Sequence, residues 1–190
     1  MKKFELTAEF VTNVFGKKLF RIKALVAFGT VEKGELGGFI EKEENLSSDG
    51  NAWVYGDAQV SGDARVYGNA LVSGDARVYG NAWVSGNAWV YGDAWVSGNA
   101  WVSGDARVYG NADYAVVPGF GHCFRTTTFF RCEDKIIRVQ CGCFYGDLAQ
   151  FREIVKKTHG DSKYAKEYLA IADLMELHLS GEEEKQEATE

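Results

Sequence analysis

Proline is almost missing from this chain: a single one, Pro118, accompanies 22 glycines in 190 residues, which excludes a collagen-like repeat. Long apolar runs are missing as well. With 25% charged residues and no stretch near the ~18 that a membrane helix needs, the composition is that of a soluble folded chain with no membrane partner. The start, Met1-Lys2-Lys3-Phe4-Glu5, lacks the apolar core of a secretory leader, so a cytoplasmic protein is expected. There is no basic excess. The net charge is −6, and the five Glu and one Lys of Gly181–Glu190 carry most of it. Neither a nucleic-acid footprint nor a broad acidic face is left, and nucleic acid is not an expected partner.

What is present is a six-residue beat. From Gly50 the chain reads G-N-A-W-V-Y, G-D-A-Q-V-S, G-D-A-R-V-Y, G-N-A-L-V-S and continues in phase to Tyr109, ten hexads without an insertion. So short and strict a period means stacked units, each burying its apolar side on its neighbours. Within a hexad, Ala-x-Val alternates, which places Ala and Val inside and x outside on a short strand. The Tyr or Ser that follows is expected to point outward. Gly-Asn or Gly-Asp then supplies the corner, because these residues tolerate positive φ.

The repeat resembles the hexapeptide-repeat, left-handed β-helix family, in which an aliphatic residue is followed four positions later by a small one, as in Val54 to Ala58, Val60 to Ala64 and Val66 to Ala70. That resemblance implies three hexads per coil, roughly 18 residues per turn, and a parallel strand stack. The expected fold is therefore mainly β, a left-handed parallel β-helix of about three coils, about 16 Å tall at ~4.8 Å per strand spacing. It divides the chain into an N-terminal β cap (1–49), the β-helix (50–115), a C-terminal α+β module (116–179) and a disordered acidic tail (180–190). The lead-in G-E-L-G-G-F-I-E-K-E-E-N-L-S-S-D-G-N-A-W-V-Y and the stretch V-Q-C-G-C-F-Y-G-D-L-A-Q-F-R-E-I-V-K-K-T-H-G-D-S-K-Y-A-K-E-Y-L are similar to segments of phage and prophage proteins with such repeats.

In the cap, Phe4-Glu5-Leu6 and Lys18 to Val26 read as strands. After the repeat, Val116 to Gly121 reads as a loop, because one Pro and two Gly break the period. Phe124 to Arg131 and Ile136 to Phe144 read as a β-hairpin. Asp147 with Gln150 forms a capping box for one helix ending at Gly160, and Asp161 is expected to cap a second.

Every third hexad shares a face. One face carries Trp53, Leu71, Trp89 and Arg107, the second Gln59, Arg77 and Trp95, the third Arg65, Trp83 and Trp101. All five tryptophans are thus expected to point outward. Stacked aromatics stabilise walls by themselves. Yet Trp83, Trp89, Trp95 and Trp101 encircle one half of the helix with more apolar surface than a monomer usually leaves wet. A homo-oligomer, trimer first, with these indoles at its interface is expected; the family commonly forms trimers.

Cys123, Cys132, Cys141 and Cys143 lie close together, but one C-x-C without a second close pair is unlike a zinc knuckle, so reduced and mostly buried thiols are expected, with no metal. His122 adjoins Cys123 only in sequence, and neighbours on a strand point oppositely, which argues against a Cys–His nucleophile. The repeat has no His to act as the base of an acyltransferase, the enzyme class many family members belong to. Ligand binding is the better reading of Gly119 to Thr128: Arg125 with the hydroxyls of Thr126, Thr127 and Thr128 suits a phosphate, and His122, Arg131, Arg138 and His159 add charge. No catalytic residue and no cofactor are assigned. The expected function is a non-enzymatic, oligomeric binding protein of phage or prophage type, a counter-defence factor that blocks a bacterial immunity protein or sequesters a nucleotide signal; a phosphate-bearing small ligand is the chemical form of the latter. An acyltransferase-like enzyme and a structural spacer or virion component are the alternatives.

Overall fold

The hexad writes its own strand and corner. Alternation puts Ala76 and Val78 inside, and Gly74 turns the corner at φ 69°, where a Cβ would lie 3.0 Å from the carbonyl oxygen of Gly92 one coil away. The computed structural model describes residues 2–180. Among them, ten two-residue strands follow the beat: β4 (Trp53–Val54), β5 (Gln59–Val60), β6 (Arg65–Val66), β7 (Leu71–Val72), β8 (Arg77–Val78), β9 (Trp83–Val84), β10 (Trp89–Val90), β11 (Trp95–Val96), β12 (Trp101–Val102) and β13 (Arg107–Val108). They are preceded by β1 (Phe4–Thr12), β2 (Lys18–Ala24) and β3 (Leu36–Ile40). They are followed by β14 (Tyr114–Phe120), β15 (Arg125–Arg131), β16 (Ile137–Cys141), β17 (Phe144–Asp147), α1 (Leu148–His159) and α2 (Lys163–Leu179).

The short strands stack in parallel into the three walls of a β-solenoid. Val54 pairs with Val72, Val60 with Val78 and Val66 with Val84, each a full coil apart. Amides bond from coil to coil, as in Gln59 N–H to Ala76 O (2.9 Å) and Ser61 N–H to Val78 O (2.9 Å). The interior is a column of Val and Ala with essentially no exposure. At ~25 cal/mol per Å² of apolar surface, this burial offsets the cost of ordering a Gly-rich chain.

The solenoid has about four turns, not about three, because it begins before the beat does. Ile40 of β3 pairs in parallel with Val60, and Leu46 bridges to Val66, twenty positions apart, where later coils use eighteen. The two extra residues lie after Leu46, which precedes Val54 by eight positions where their partners Val66 and Val72 are six apart. Before them, a turn of 3-10 helix at Glu43–Asn45 buries the Asn45 side chain, which donates to the carbonyls of Gly62 (3.0 Å) and Ala64 (2.8 Å). The first coil therefore comes from the stretch read as an N-terminal cap. The hairpin β1–β2 continues the wall β3–β5–β8–β11 as antiparallel strands.

Trp53 keeps the outward position of its hexad, in register with Leu71, but is not exposed. It is fully buried under Phe4 and Phe28, whose rings meet it edge-on at 6.4 and 5.4 Å. Beside it Lys3 is buried with its ammonium donating to Ala52 O (2.8 Å) and lying over the Phe28 ring. Burial pushes the Lys3 pKa down to about 8, while Asp49 pulls it up. Ser61, Ser85 and Ser103 are buried too; Asn13 reaches over Ser61 (3.4 Å) and Gln140 over Ser103 (3.3 Å).

The other end carries a four-stranded antiparallel sheet, β14–β15–β16–β17, in place of a simple hairpin. The segment read as a loop is a strand: Pro118 sits on the edge strand β14, where a missing N–H breaks no ladder, and the register shifts between Val117 and Phe120. Asp147 and Gln150 form the capping box of α1 as the sequence indicates. The cap of α2 is Ser162, whose hydroxyl accepts from Ala165 N–H, and not Asp161. The expected acidic tail lies outside the described residues apart from Ser180. No described helix is long and apolar enough to cross a membrane.

Candidate functional site

Alternation along β15 decides where each expected ligand residue goes. Thr126, Thr128 and Phe130 face the solenoid, and Phe130 joins the solenoid core. Arg125, Thr127, Phe129 and Arg131 face the helices, and Phe129 joins the core of the C-terminal module. The sheet is thus a lid over the open solenoid end on one side and a floor for α1 and α2 on the other.

Thr128 is buried, and its hydroxyl accepts from Trp101 N–H (3.0 Å), satisfying the last coil. Gln140, opposite it on β16, accepts from the Ser103 hydroxyl (3.3 Å). Thr127 is buried and donates to Cys141 Sγ (3.2 Å). Thr126 lines a separate groove with Ser97, Asn99 and Tyr114. Arg131 donates to Leu179 O (2.7 Å) and pairs with Asp113 (3.3 Å) in a cleft of about 920 Å³ at the far end of α2. Arg138 pairs with Asp134 (2.7 Å). Five of the eight expected ligand residues are therefore dispersed.

The remaining three converge. Arg125, His122 and His159 line a cleft of about 240 Å³ whose walls are Phe144, Phe151, Ile154, Val155 and Tyr168, with the thiols of Cys123 and Cys141. Arg125 reaches it across Gly142, where a side chain would collide with the guanidinium. His122 comes from the four-residue turn Gly121 to Phe124 that joins β14 to β15, and its ring meets Tyr164 edge-on at 5.7 Å. His159 closes the last turn of α1 and lies 5.8 Å from the Tyr168 ring. Tyr168 donates to Phe120 O (3.2 Å), and burial, then the neighbouring Cys141 thiol, pushes its phenol up to about 12. It stays a neutral donor near neutral pH. Glu167 accepts from Gly121 N–H (3.3 Å) and steadies the turn.

Because that turn is not a strand, adjacent side chains do not diverge: Cys123 Sγ lies 3.6 Å from His122 Nδ1, against the strand argument. Nor are the thiols mostly buried. Cys123 and Cys143 are exposed, Cys141 is half-buried, and buried Cys132 faces the solenoid, with burial raising its thiol to about 11. Among the described residues, no group of three or more His, Cys, Asp or Glu side chains is placed to hold a metal ion. Sequence reasoning missed Phe144, Phe151, Cys141 and Tyr168 as cleft walls. The Tyr164/Tyr168 spacing on α2 was the available signal, though it reads equally well as a core stripe.

On the solenoid walls, Trp83, Trp89 and Trp95 are 40, 45 and 40% exposed, and Trp101 is half-buried. Part of their surface is spent within the chain. Trp83 and Trp101 meet edge-on at 5.5 Å, and the guanidiniums of Arg77 and Arg107 lie over Trp95 and Trp89.

The family model of the YdcK beta solenoid repeat matches residues 58–74, 64–80, 72–86, 76–92 and 82–98, so the middle of the solenoid is similar to that family. No curated protein matches the chain.

Proposed function

We propose that the protein is a non-enzymatic binding protein, in which a left-handed hexapeptide β-helix serves as scaffold for a C-terminal module that holds a small anionic ligand. The observation that carries this reading is the convergence of Arg125, His122 and His159 on one cleft with aromatic walls. The Arg125 guanidinium and two imidazoles at one side and Phe144, Phe151 and Tyr168 at the other suit a ligand that joins a phosphate to a flat apolar body, as a nucleotide does. The similarity of the C-terminal stretch to phage and prophage proteins supports a counter-defence role in the host cytoplasm, with sequestration of a nucleotide signal preferred over blocking of a bacterial immunity protein. The exposed Trp83, Trp89 and Trp95 favour assembly, trimer first, which would repeat the cleft around an axis.

Titration calorimetry with AMP and with inorganic phosphate tests the reading. AMP should bind, and Arg125→Ala should weaken it by roughly 10- to 100-fold, the worth of a charge-assisted hydrogen bond. Equal AMP affinity in wild type and variant would remove the cleft from consideration. Light scattering tests assembly on the same sample, and a monomeric mass at micromolar concentration contradicts it.

A further inference from the structure

The geometry points to Cys123 and Cys141 as a reactive dithiol, oxidised by a low-molecular-weight disulfide of the glutathione class, whose cross-link closes the cleft that both thiols line. They reach it from separate elements, the turn before β15 and the end of β16. Cys123 is exposed, and the imidazole of His122 lies 3.6 Å from its sulfur, in place to take the thiol proton. Cys141 is half-buried and accepts a hydrogen bond from Thr127 at 3.2 Å, which fixes its sulfur on the cleft wall. Arg125, lying over Gly142 on the same cleft, offers a cation to the carboxylates of the incoming disulfide.

The exchange balances without a further reagent. Cys123 thiolate attacks one sulfur of oxidised glutathione, breaking its S–S bond and releasing one glutathione thiolate, which takes up a proton. Cys141 thiolate then attacks Cys123 Sγ, breaking the mixed disulfide and releasing the second. The protein loses two electrons and two protons, and the disulfide is reduced to two thiols. The product ties the 121–124 turn to β16 on the cleft that Tyr168 also lines. The closing of the cleft rests on the binding reading above; the cross-link does not.

The chain carries its own controls. Cys143 is also exposed but does not line the cleft, and Cys132 is buried with its thiol raised to about 11. The full chain is incubated with oxidised glutathione near neutral pH, quenched by alkylation and mapped by peptide mass spectrometry. Cys123 should react at least ~10-fold faster than Cys143 in the same molecules, with loss of two hydrogens and a Cys123–Cys141 linked peptide. Cys141→Ser should stop at the Cys123 mixed disulfide, and Cys143→Ser should cross-link as wild type does. Equal rates at Cys123 and Cys143, a persistent mixed disulfide in the wild type, or a Cys141–Cys143 link overturns the pair. A cross-link that leaves AMP affinity unchanged overturns the closing. Failure of the reduced protein to bind AMP counts against the binding reading alone and leaves the thiol mapping intact.

Discussion

The solenoid and the C-terminal module bury similar side chains by opposite means. In the solenoid, Val60, Val78 and Val96 repeat one contact coil after coil, and like atoms meeting like atoms leave the interior filled. In the module, Phe129, Phe144, Phe151 and Tyr168 meet at unlike angles, from 50 to 88°, against the aliphatic face of α1. Irregular packing leaves a hollow where the rings and the hairpin turn fail to close. The hollow then collects polar groups from the 121–124 turn, β15, β16, α1 and α2, whereas the solenoid can offer ligands only its outer walls and its ends.

Three measurements would break or sharpen that contrast. The largest effect is expected from Phe129→Ala, which removes a ring buried at the centre of the module and should cost about 3–5 kcal/mol. If the two regions differ as described, urea unfolding should show the module's helical circular dichroism lost first while tryptophan fluorescence from the walls persists. A single coincident transition would erase the distinction.

Next comes the opposite end of the solenoid. Lys3 is buried, with a pKa near 8 against 10.5 for the free side chain. Above about 10.5 it is neutral folded and unfolded. As pH falls from there towards 8, the unfolded chain takes the proton first, so stability declines, by an amount on the order of 3 kcal/mol, and levels off below. Chemical denaturation across this window should show the decline in the wild type and its loss in Lys3→Met; identical slopes would mean that the ammonium is not desolvated there.

The smallest effect is expected at the seam. Thr128→Val leaves Trp101 N–H without its acceptor and should cost roughly 1–3 kcal/mol. Slowed amide exchange at Trp101 in the wild type, speeded in the variant with the Val84 amide unchanged, would locate the damage at the lid; uniform speeding along the walls would tie the regions into one cooperative unit.

The repeat was legible because each hexad states its own strand, corner and inside face within six residues, and its neighbours say the same. Legibility stopped where the beat stopped. The first coil, from Phe39 to Leu46, carries no repeated letter pattern, and the two extra residues that set it out of phase with the beat lie between Leu46 and Val54. Trp53 obeys the outward rule of its hexad and is buried only because Phe4 and Phe28 return from far away in sequence to cover it. In the module, Asp147 and Gln150 announced a helix through a contact three residues long, while β14 was obscured by Pro118, which an edge strand tolerates and a central one does not. Of the eight expected ligand residues, His122, Arg125 and His159 meet in the cleft, and the threonines were misjudged because their partners, Trp101 and Cys141, belong to other strands.

The amino-acid sequence by itself determined the stacked prism, its Val and Ala interior and the outward register of its tryptophans, since these follow from local alternation and positive-φ corners repeated in phase. Only the tertiary structure decided how many turns the prism has, which tryptophan is covered, and which charged and sulfur-bearing side chains share a cleft. Those depend on contacts between segments distant along the chain, and no local preference carries that information.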